Sequence, residues 1–191
     1  MDRIVIPVVT LLIAAPIAAA GFKEGPYPNV TGGFGEQSCR LCHLDNPVNA
    51  PGGRVTLDGV PATFRPGQAY PITVTISRED MRRGGFEIAA RFATGRQRGK
   101  QAGTWRLLDA RVQLIPGAVD KALTFVQHNL MGSRATTTGA NTWTIEWTAP
   151  SPASGPLSPV QFNVAANASN NDDSPLGDYI YIKALRSHPV R

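Results

Sequence analysis

Short runs of alternating apolar and polar residues, separated by turn residues, constrain the fold of this chain most strongly. In the run 70–77, Ile72, Val74 and Ile76 alternate with polar residues, which is the two-residue side-chain period of a β-strand. The run 105–115 is long enough to bend near Asp109. Eight runs of this kind are predicted to be strands: 55–60, 70–77, 86–93, 105–115, 123–128, 142–148, 160–166 and 179–185.

The composition and the runs together predict an all-β, antiparallel β-sandwich. The chain of 191 residues contains 19 Gly and 16 Pro, and 17% of its residues are charged, below the usual ~25%. No convincing amphipathic helix separates the runs, whereas a parallel sheet would need helical crossovers. Many short strands joined by turns are typical of a sandwich. The tryptophans and tyrosines on the apolar faces are predicted to pack in its core.

The first 20 residues have the pattern of a secretory signal peptide. An almost unbroken apolar run, 4–17, follows Arg3 and precedes three alanines that end at Ala20, which is the A-x-A type of cleavage site. Cleavage is predicted after Ala20. A retained membrane anchor is the alternative, although the run is shorter than the ~20 apolar residues of a span. The mature protein is therefore expected to be exported, to the periplasm or to the cell surface or medium, without a transmembrane span.

Four regions are expected along the chain. Residues 1–20 form the signal peptide, and residues 21–53 form an extended leader, rich in Gly, Pro and Asn, that holds both cysteines. Residues 54–186 form the β-sandwich domain, and residues 187–191 form a C-terminal tail. Because the strand pattern begins only at the domain, the leader is expected to lie on the domain as an attached segment.

The charge distribution gives weaker indications. The chain carries 19 Lys and Arg against 14 Asp and Glu, a net charge of +5, which is too small to indicate nucleic-acid binding. Seven basic residues from Arg78 to Lys100 lie on one predicted hairpin, and they fit either a docking face for an acidic redox partner or a solvated rim. Residues 167–178 fit a polar turn better than a calcium site, because they lack the EF-hand spacing.

The two cysteines of the chain form a C-x-x-C-H motif, Cys39-Arg40-Leu41-Cys42-His43, the signature of c-type haem attachment. Two thiols at this spacing can add to the two vinyl groups of one haem, and the adjacent imidazole can then bind the iron as the proximal ligand. Covalent attachment suits a short leader, which has little apolar surface to hold a haem by burial. We therefore predict one covalent haem c on Cys39 and Cys42, with His43 as an iron ligand.

The same residues admit other chemistry. In an oxidising compartment, Cys39 and Cys42 also fit a disulfide. A thiol–disulfide redox pair is a further alternative, although such pairs normally occur in a βαβ setting. A structural zinc ion needs four ligands, and these two cysteines with His43 supply only three. Haem attachment is favoured because the motif uses both cysteines of the chain and follows an export signal.

A second iron ligand has four candidates in the mature chain: His128, Met131, Met81 and His188. His128 is favoured because it ends a predicted strand, where a sheet would hold it in place, and Met131 is the next candidate. Met81 lies in a basic turn, and His188 lies near the C-terminus, where chains are poorly ordered. The alternative for His128 is an ordinary strand-end histidine bonded to a neighbour. Two imidazoles would give a low potential, and a methionine ligand would raise it.

The order of several motifs along the chain resembles a known family. The motifs are C-x-x-C-H in the leader, F-x-P-G-x-x-Y from Phe64 to Tyr70, G-F-E-I-A-A-R from Gly85 to Arg91, the strand-end His128, W-T-x-x-W-T-A-P from Trp143 to Pro150 and G-D-Y-I-Y from Gly177 to Tyr181. In this order, over residues 31–182, the chain resembles the bacterial reeler-like secreted domains described as choice-of-anchor V proteins.

The resemblance implies an immunoglobulin-like β-sandwich, exported to the periplasm or the cell surface. It also implies a single c-type haem on Cys39, Cys42 and His43, with His128 matching the strand-end histidine of the family. Members often carry a C-terminal sorting or anchoring tail. Residues 187–191 do not resemble one, which favours a periplasmic or released form.

Three hypotheses of function follow. The first is an exported monohaem c-type cytochrome-like protein, which carries single electrons to a redox partner and is not an enzyme. The second is a non-redox adhesion or matrix-binding module with a Cys39–Cys42 disulfide. The third is a haem enzyme or gas sensor with an open distal site. The sequence contains neither a G-x-S-x-G nor an H-E-x-x-H motif, so no hydrolase of those classes is indicated.

Overall fold

Ten strands form the domain in the computed structural model, which describes residues 22–151 and 157–190. The predicted signal peptide, 1–20, lies outside the described residues. The strands are β1 (Gly53–Asp58), β2 (Thr63–Phe64), β3 (Ala69–Arg78), β4 (Arg83–Phe92), β5 (Thr104–Leu107), β6 (Val112–Pro116), β7 (Thr124–His128), β8 (Ala140–Thr148), β9 (Val160–Ser169) and β10 (Tyr179–Pro189). A three-residue 3₁₀ helix, Cys39–Leu41, lies in the leader.

The strands pair into two sheets. One has four strands in the order β1-β3-β8-β5, and the other has six in the order β2-β10-β9-β4-β7-β6. Neighbouring strands are antiparallel except for β2 and β10, which form a short parallel pair. Apolar residues of both sheets share one core. The antiparallel β-sandwich predicted from the sequence is therefore confirmed.

The core consists of the apolar faces that the alternation predicted. Trp143 and Trp147 of β8 are fully buried, and their rings lie 4.5 Å from Phe86 and 4.8 Å from Phe162 of the opposite sheet. Such close ring pairs add ~0.5–1.5 kcal/mol beyond the apolar area that they bury. The predicted packing of these tryptophans in the core is confirmed.

The run 105–115, predicted as one bent strand, is two strands in different sheets. Its break lies at Asp109, whose carboxylate accepts a hydrogen bond from the amide of Arg111 at 2.8 Å, a local turn that aspartate favours. The chain crosses there from β5 to β6. The structure also adds β2, which is too short to give an alternating pattern, and extends β10 past residue 185 to Pro189.

The leader covers the outer face of β4, so that this strand is buried on both sides. The amide of Val30 donates to the buried carboxyl of Glu87 at 2.7 Å. Arg91, four residues further along the strand on the same face, forms a buried ion pair with Glu36 of the leader. Asn49 donates its amide to the carbonyl of Ile180 at 2.9 Å. Backbone and charged contacts therefore attach the leader to the six-stranded sheet.

No helix within the described ranges is long and apolar enough to cross a membrane.

Candidate functional site

The C-x-x-C-H motif folds as a tight turn at the surface of the six-stranded sheet. The 3₁₀ helix begins after Ser38, whose hydroxyl accepts a hydrogen bond from the amide of Arg40 at 3.3 Å. The amides of Cys42 and His43 both donate to the carbonyl of Cys39 at 3.3 Å. This winding brings residues three and four positions apart to the same side of the turn.

The motif borders a surface groove, here called the motif groove, which lies between the leader and the inner strands of the six-stranded sheet. Its empty space is about 890 Å³, including the open solvent at its mouth. Five segments line it: the start of the leader with Phe22 and Tyr27, the motif with Cys39, Cys42 and His43, β4 with Gly85 and Phe86, β7 with His128, and the region around the turn from β9 to β10 with Asn167 and Asp178. The groove therefore brings the predicted proximal and distal histidines together with both cysteines.

His43 is held by a buried carboxylate. Its Nδ1 lies 2.9 Å from Oδ2 of Asp178, a residue whose side chain is 2% exposed. The side-chain nitrogen of Asn167 lies 3.1 Å from the same carboxylate oxygen, and 3.4 Å from Nδ1 and 3.3 Å from Nε2 of the ring. The imidazole therefore contacts one carboxylate and one amide donor.

His128 ends β7 and is buried against β4. Its Nδ1 lies 3.0 Å from the amide nitrogen and 3.2 Å from the carbonyl oxygen of Phe86, so one backbone residue can hold either neutral tautomer. Burial is the main reason that the pKa of His128 falls to about 4. The ring is therefore neutral at physiological pH, which is the form that binds metals.

The two cysteines differ in environment. Cys42 is exposed, Cys39 is partly buried, and both are free thiols. Burial, and next the charge of Glu87, raise the pKa of Cys39 to about 12. Cys39 is therefore a protonated thiol at neutral pH, unlike the activated thiolates of thiol–disulfide enzymes.

Glu87 is a site residue that the sequence analysis missed. It is fully buried, and its carboxyl accepts hydrogen bonds from the Val30 amide and the Gln127 side chain. Burial outweighs these bonds and raises its pKa to about 7. A single acidic residue in the predicted strand 86–93 is the only signal in the sequence, and alternation alone would place it on a solvated face.

The other predicted ligands lie outside the motif groove. Met81 is buried in the core, and the side chain of Met131 is exposed. His188 is exposed near the end of β10, where it pairs with Thr63 of β2. His128 is thus the one candidate for the distal position that the groove shares with His43.

The basic stretch from Arg78 to Lys100 does not form one charged face. Arg91 is buried and paired with Glu36, and Arg78 pairs with Asp80. Arg83 donates to Ser133 at 2.6 Å. The leader covers the middle of the hairpin, so the two interpretations, a docking face for an acidic redox partner and a solvated rim, concern only the residues of the hairpin that stay exposed.

Within residues 22–151 and 157–190, no group of three or more His, Cys, Asp and Glu side chains could hold a metal ion by itself. Residues 167–178 instead satisfy their own backbone: Asn170, Asp172 and Ser174 each accept a hydrogen bond from the amide two residues further on, at 2.9–3.1 Å. This is the polar turn expected from the sequence.

No protein-family model and no curated protein matches the chain. Among solved structures, a human F-spondin reeler domain is 16% identical, with a TM-score of 0.45, over 78% of this chain and 98% of that chain. A cohesin module of a Clostridium perfringens family 33 glycoside hydrolase is 10% identical, with a TM-score of 0.43, over 72% and 98%.

Proposed function

We propose that this chain is an exported c-type cytochrome-like protein that carries one covalent haem in the motif groove and transfers single electrons. The observation that carries the proposal is the shared groove: Cys39, Cys42 and His43 line it together with His128, a histidine far away in the sequence. The order of motifs that resembles choice-of-anchor V proteins supports the same assignment.

The donor set of the groove fits such a group. Two free thiols stand at the spacing that thioether attachment requires. His128 is a neutral imidazole, and a β-carbon on Gly85 would lie 2.5 Å from its ring, so the glycine makes room for the histidine. Phe22, Tyr27 and Leu41 are each more than half exposed at the groove. A flat apolar ring would cover such side chains.

In this proposal, Cys39 and Cys42 would hold the group covalently, and His43 and His128 would supply the nitrogen ligands of its iron. When bound, the haem would supply reversible one-electron chemistry. Two histidine ligands would leave the iron without a site for a substrate, which favours an electron carrier over an enzyme. Two histidine ligands also favour a low potential.

The test is expression to the periplasm together with the c-haem maturation machinery. The proposal expects a reduced spectrum with a sharp α-band and a denatured chain whose mass includes one haem. The Cys39→Ser, Cys42→Ser double variant is expected to lose both. A colourless wild-type protein with the mass of its amino acids alone would refute the proposal.

The role of His128 is tested separately by His128→Ala, with Met131→Ala as a control at the other candidate ligand, which is exposed and lies outside the motif groove. We expect His128→Ala to bind CO in the ferrous state, and Met131→Ala and the wild type not to bind it. Ready CO binding by the wild type would instead support the third hypothesis, a haem enzyme or gas sensor with an open distal site.

A non-redox binding module is the second candidate. The observation in its favour is the exposed aromatic pair at the groove, Phe22 and Tyr27, whose rings lie 5.0 Å apart in an edge-to-face arrangement. Such side chains are common anchors of protein interfaces. A haem-free protein with a Cys39–Cys42 disulfide, and partner binding that is lost in Phe22→Ala, would support this candidate against the cytochrome.

A further inference from the structure

We infer that Asp178 is a positioning residue for His43, and that its carboxylate fixes the ring so that Nδ1 carries the proton and Nε2 is the nitrogen available to iron. The role of Asp178 toward a haem rests on the proposed function, but the contact between Asp178 and His43 is present without a haem. Asp178 is not part of the C-x-x-C-H motif and directly precedes the last strand, β10, far away in sequence.

The tautomer follows from the hydrogen-bond donors around the ring. Oδ2 of Asp178 can only accept as a carboxylate oxygen, so the contact of 2.9 Å requires a proton on Nδ1 of His43. The side-chain nitrogen of Asn167 can only donate; it lies 3.1 Å from Oδ2 of Asp178 and almost equally far from the two ring nitrogens, 3.4 Å from Nδ1 and 3.3 Å from Nε2. The carboxylate of Asp178 therefore selects the form in which Nε2 keeps its lone pair.

The orientation of Asn167 shows that Asp178 acts as an acceptor here. The side-chain oxygen of Asn167 is buried and has no hydrogen-bond partner. A reversed amide would not remove this cost, because the oxygen would then face the carboxylate. The amide is thus held with its nitrogen toward Oδ2 of Asp178.

Asp178 is itself held from three directions. Its Oδ1 accepts from the amide of Asn170 at 3.2 Å, and its carbonyl accepts from the side chain of Asn46 at 2.9 Å. The preceding residue, Gly177, donates its amide to Asp45 at 2.7 Å. The turn between β9 and β10 is therefore hydrogen-bonded to the segment that follows the motif. These bonds hold the Asp178 carboxylate in place before any ligand binds.

A carboxylate on Nδ1–H makes the opposite nitrogen a stronger electron donor and fixes the ring direction. The stronger donor favours the oxidised iron, so Asp178 is expected to lower the potential of a bound haem. An amide at this position can still accept the Nδ1 hydrogen but lacks the negative charge. Asp178→Asn therefore removes the negative charge but keeps the size and shape of the side chain.

The first experiment uses the haem-free full chain and ¹⁵N-labelled histidine. Long-range ¹H–¹⁵N spectra at a pH where the ring is neutral are expected to show His43 with the proton on Nδ1 in the wild type and a mixture of tautomers in Asp178→Asn. Asp45→Asn is the matched control, because it removes a carboxylate that bonds to the same turn but does not contact His43. A wild-type ring protonated on Nε2 would overturn the inference, even if the variant did not fold.

The second experiment measures the potential of the haem-loaded proteins. Asp178→Asn is expected to shift the midpoint upward, and Asp45→Asn to leave it at the wild-type value. A loaded Asp178→Asn protein with the wild-type potential would overturn the inference while the proposed function stands. If no protein takes up haem, the proposed function fails, and the tautomer measurement still decides whether Asp178 positions His43.

Discussion

Gly85 lies directly against the imidazole of His128: a β-carbon at this position would come within 2.5 Å of Cε1 and 2.9 Å of Nε2 of the ring. The three atoms nearest to such a carbon all belong to His128. The absence of a side chain on β4 therefore allows β7 to end with a buried histidine. This position needs glycine because a side chain would not fit there. Backbone conformation is not the reason, since the φ of Gly85 is not positive.

Gly85→Ala is expected to destabilise the haem-free protein by ~1–3 kcal/mol, the usual cost of inserting a methyl group into a packed site. The cost should nearly vanish when His128 is also replaced by Ala, because the clash is with the ring. Equilibrium denaturation of the wild type, both single variants and the double variant measures the coupling. An equal cost in both backgrounds would show that the ring is not the obstacle.

Glu87 and His128 give the stability of the haem-free protein opposite dependences on pH. The folded pKa of Glu87 is raised from 4.5 to about 7, so between these values the folded state binds more protons and stability falls as pH rises. The folded pKa of His128 is lowered from 6.5 to about 4, so between these values the unfolded state binds more protons and stability rises with pH. Each slope is ~1.4 kcal/mol per pH unit.

The two slopes cancel between pH 4.5 and 6.5, so the wild type is expected to have a nearly flat profile there. Glu87→Gln removes the contribution of Glu87 and leaves that of His128. The free energy of unfolding of this variant should therefore rise as the pH increases from about 4 to 6.5. At pH 8 this variant should exceed the wild type by up to ~3 kcal/mol. Urea denaturation across this pH range, with the thiols kept reduced, provides the measurement.

The complementary variant is His128→Gln, whose stability should fall as pH rises from 4.5 to about 7. Two single variants with opposite slopes, on either side of a flat wild-type profile, are the expected pattern. Parallel profiles for the wild type and Glu87→Gln would mean that Glu87 does not titrate in this range.

The thiols of the haem-free protein are expected to react at different rates. The pKa of Cys39 is raised from 9.0 to about 12, which lowers its thiolate fraction roughly a thousandfold at pH 8. Because a more basic thiolate is also more nucleophilic, the alkylation rate should fall by roughly 30- to 60-fold from this cause. Timed alkylation with iodoacetamide and peptide mapping by mass spectrometry compare Cys39 with the exposed Cys42.

The charge of Glu87 is the second cause of the high pKa of Cys39, so Glu87→Gln serves as an internal control. This variant should speed alkylation of Cys39 by less than the roughly 30- to 60-fold assigned to the whole pKa shift, and it should leave the rate at Cys42 unchanged. Equal rates at the two cysteines in the wild type would contradict the buried environment of Cys39.

The sequence predicted the β-sandwich and most strands because alternation and turn residues are local properties of the chain. It also named Cys39, Cys42, His43 and His128, since each of these residue types carries recognisable chemistry. Whether the four act on one haem stays a prediction.

Glu87, Asp178 and Gly85 were missed because their surroundings depend on pairing across strands. Glu87 and Arg91 lie on the polar side of β4, which alternation assigns to solvent. The leader, which has no periodicity of its own, covers that side. No pattern within β4 reports on a covering segment that lies fifty or so residues earlier in the chain, so the burial of Arg91 within the basic hairpin was not predicted either.

The ion pair between Arg91 and Glu36 is expected to be the strongest single attachment of the leader. The two side chains are only 6% and 9% exposed, and Glu36 also accepts hydrogen bonds from Asn29 and Thr31. Glu36→Gln keeps the size of the side chain but leaves the buried guanidinium without a counter-charge, which typically costs ~3–5 kcal/mol. The variant should also accelerate proteolysis within the leader.

The matched control for this substitution is Glu146→Gln, which removes the partner of Arg106 in a bidentate pair at 2.7 and 2.8 Å. Arg106 is 65% exposed, so water replaces the lost carboxylate and the free energy of unfolding should change little. Chemical denaturation of both variants compares the same chemical change in two environments. A cost for Glu36→Gln no larger than that for Glu146→Gln would show that the leader is held mainly by its backbone hydrogen bonds, such as those of Val30 and Asn49.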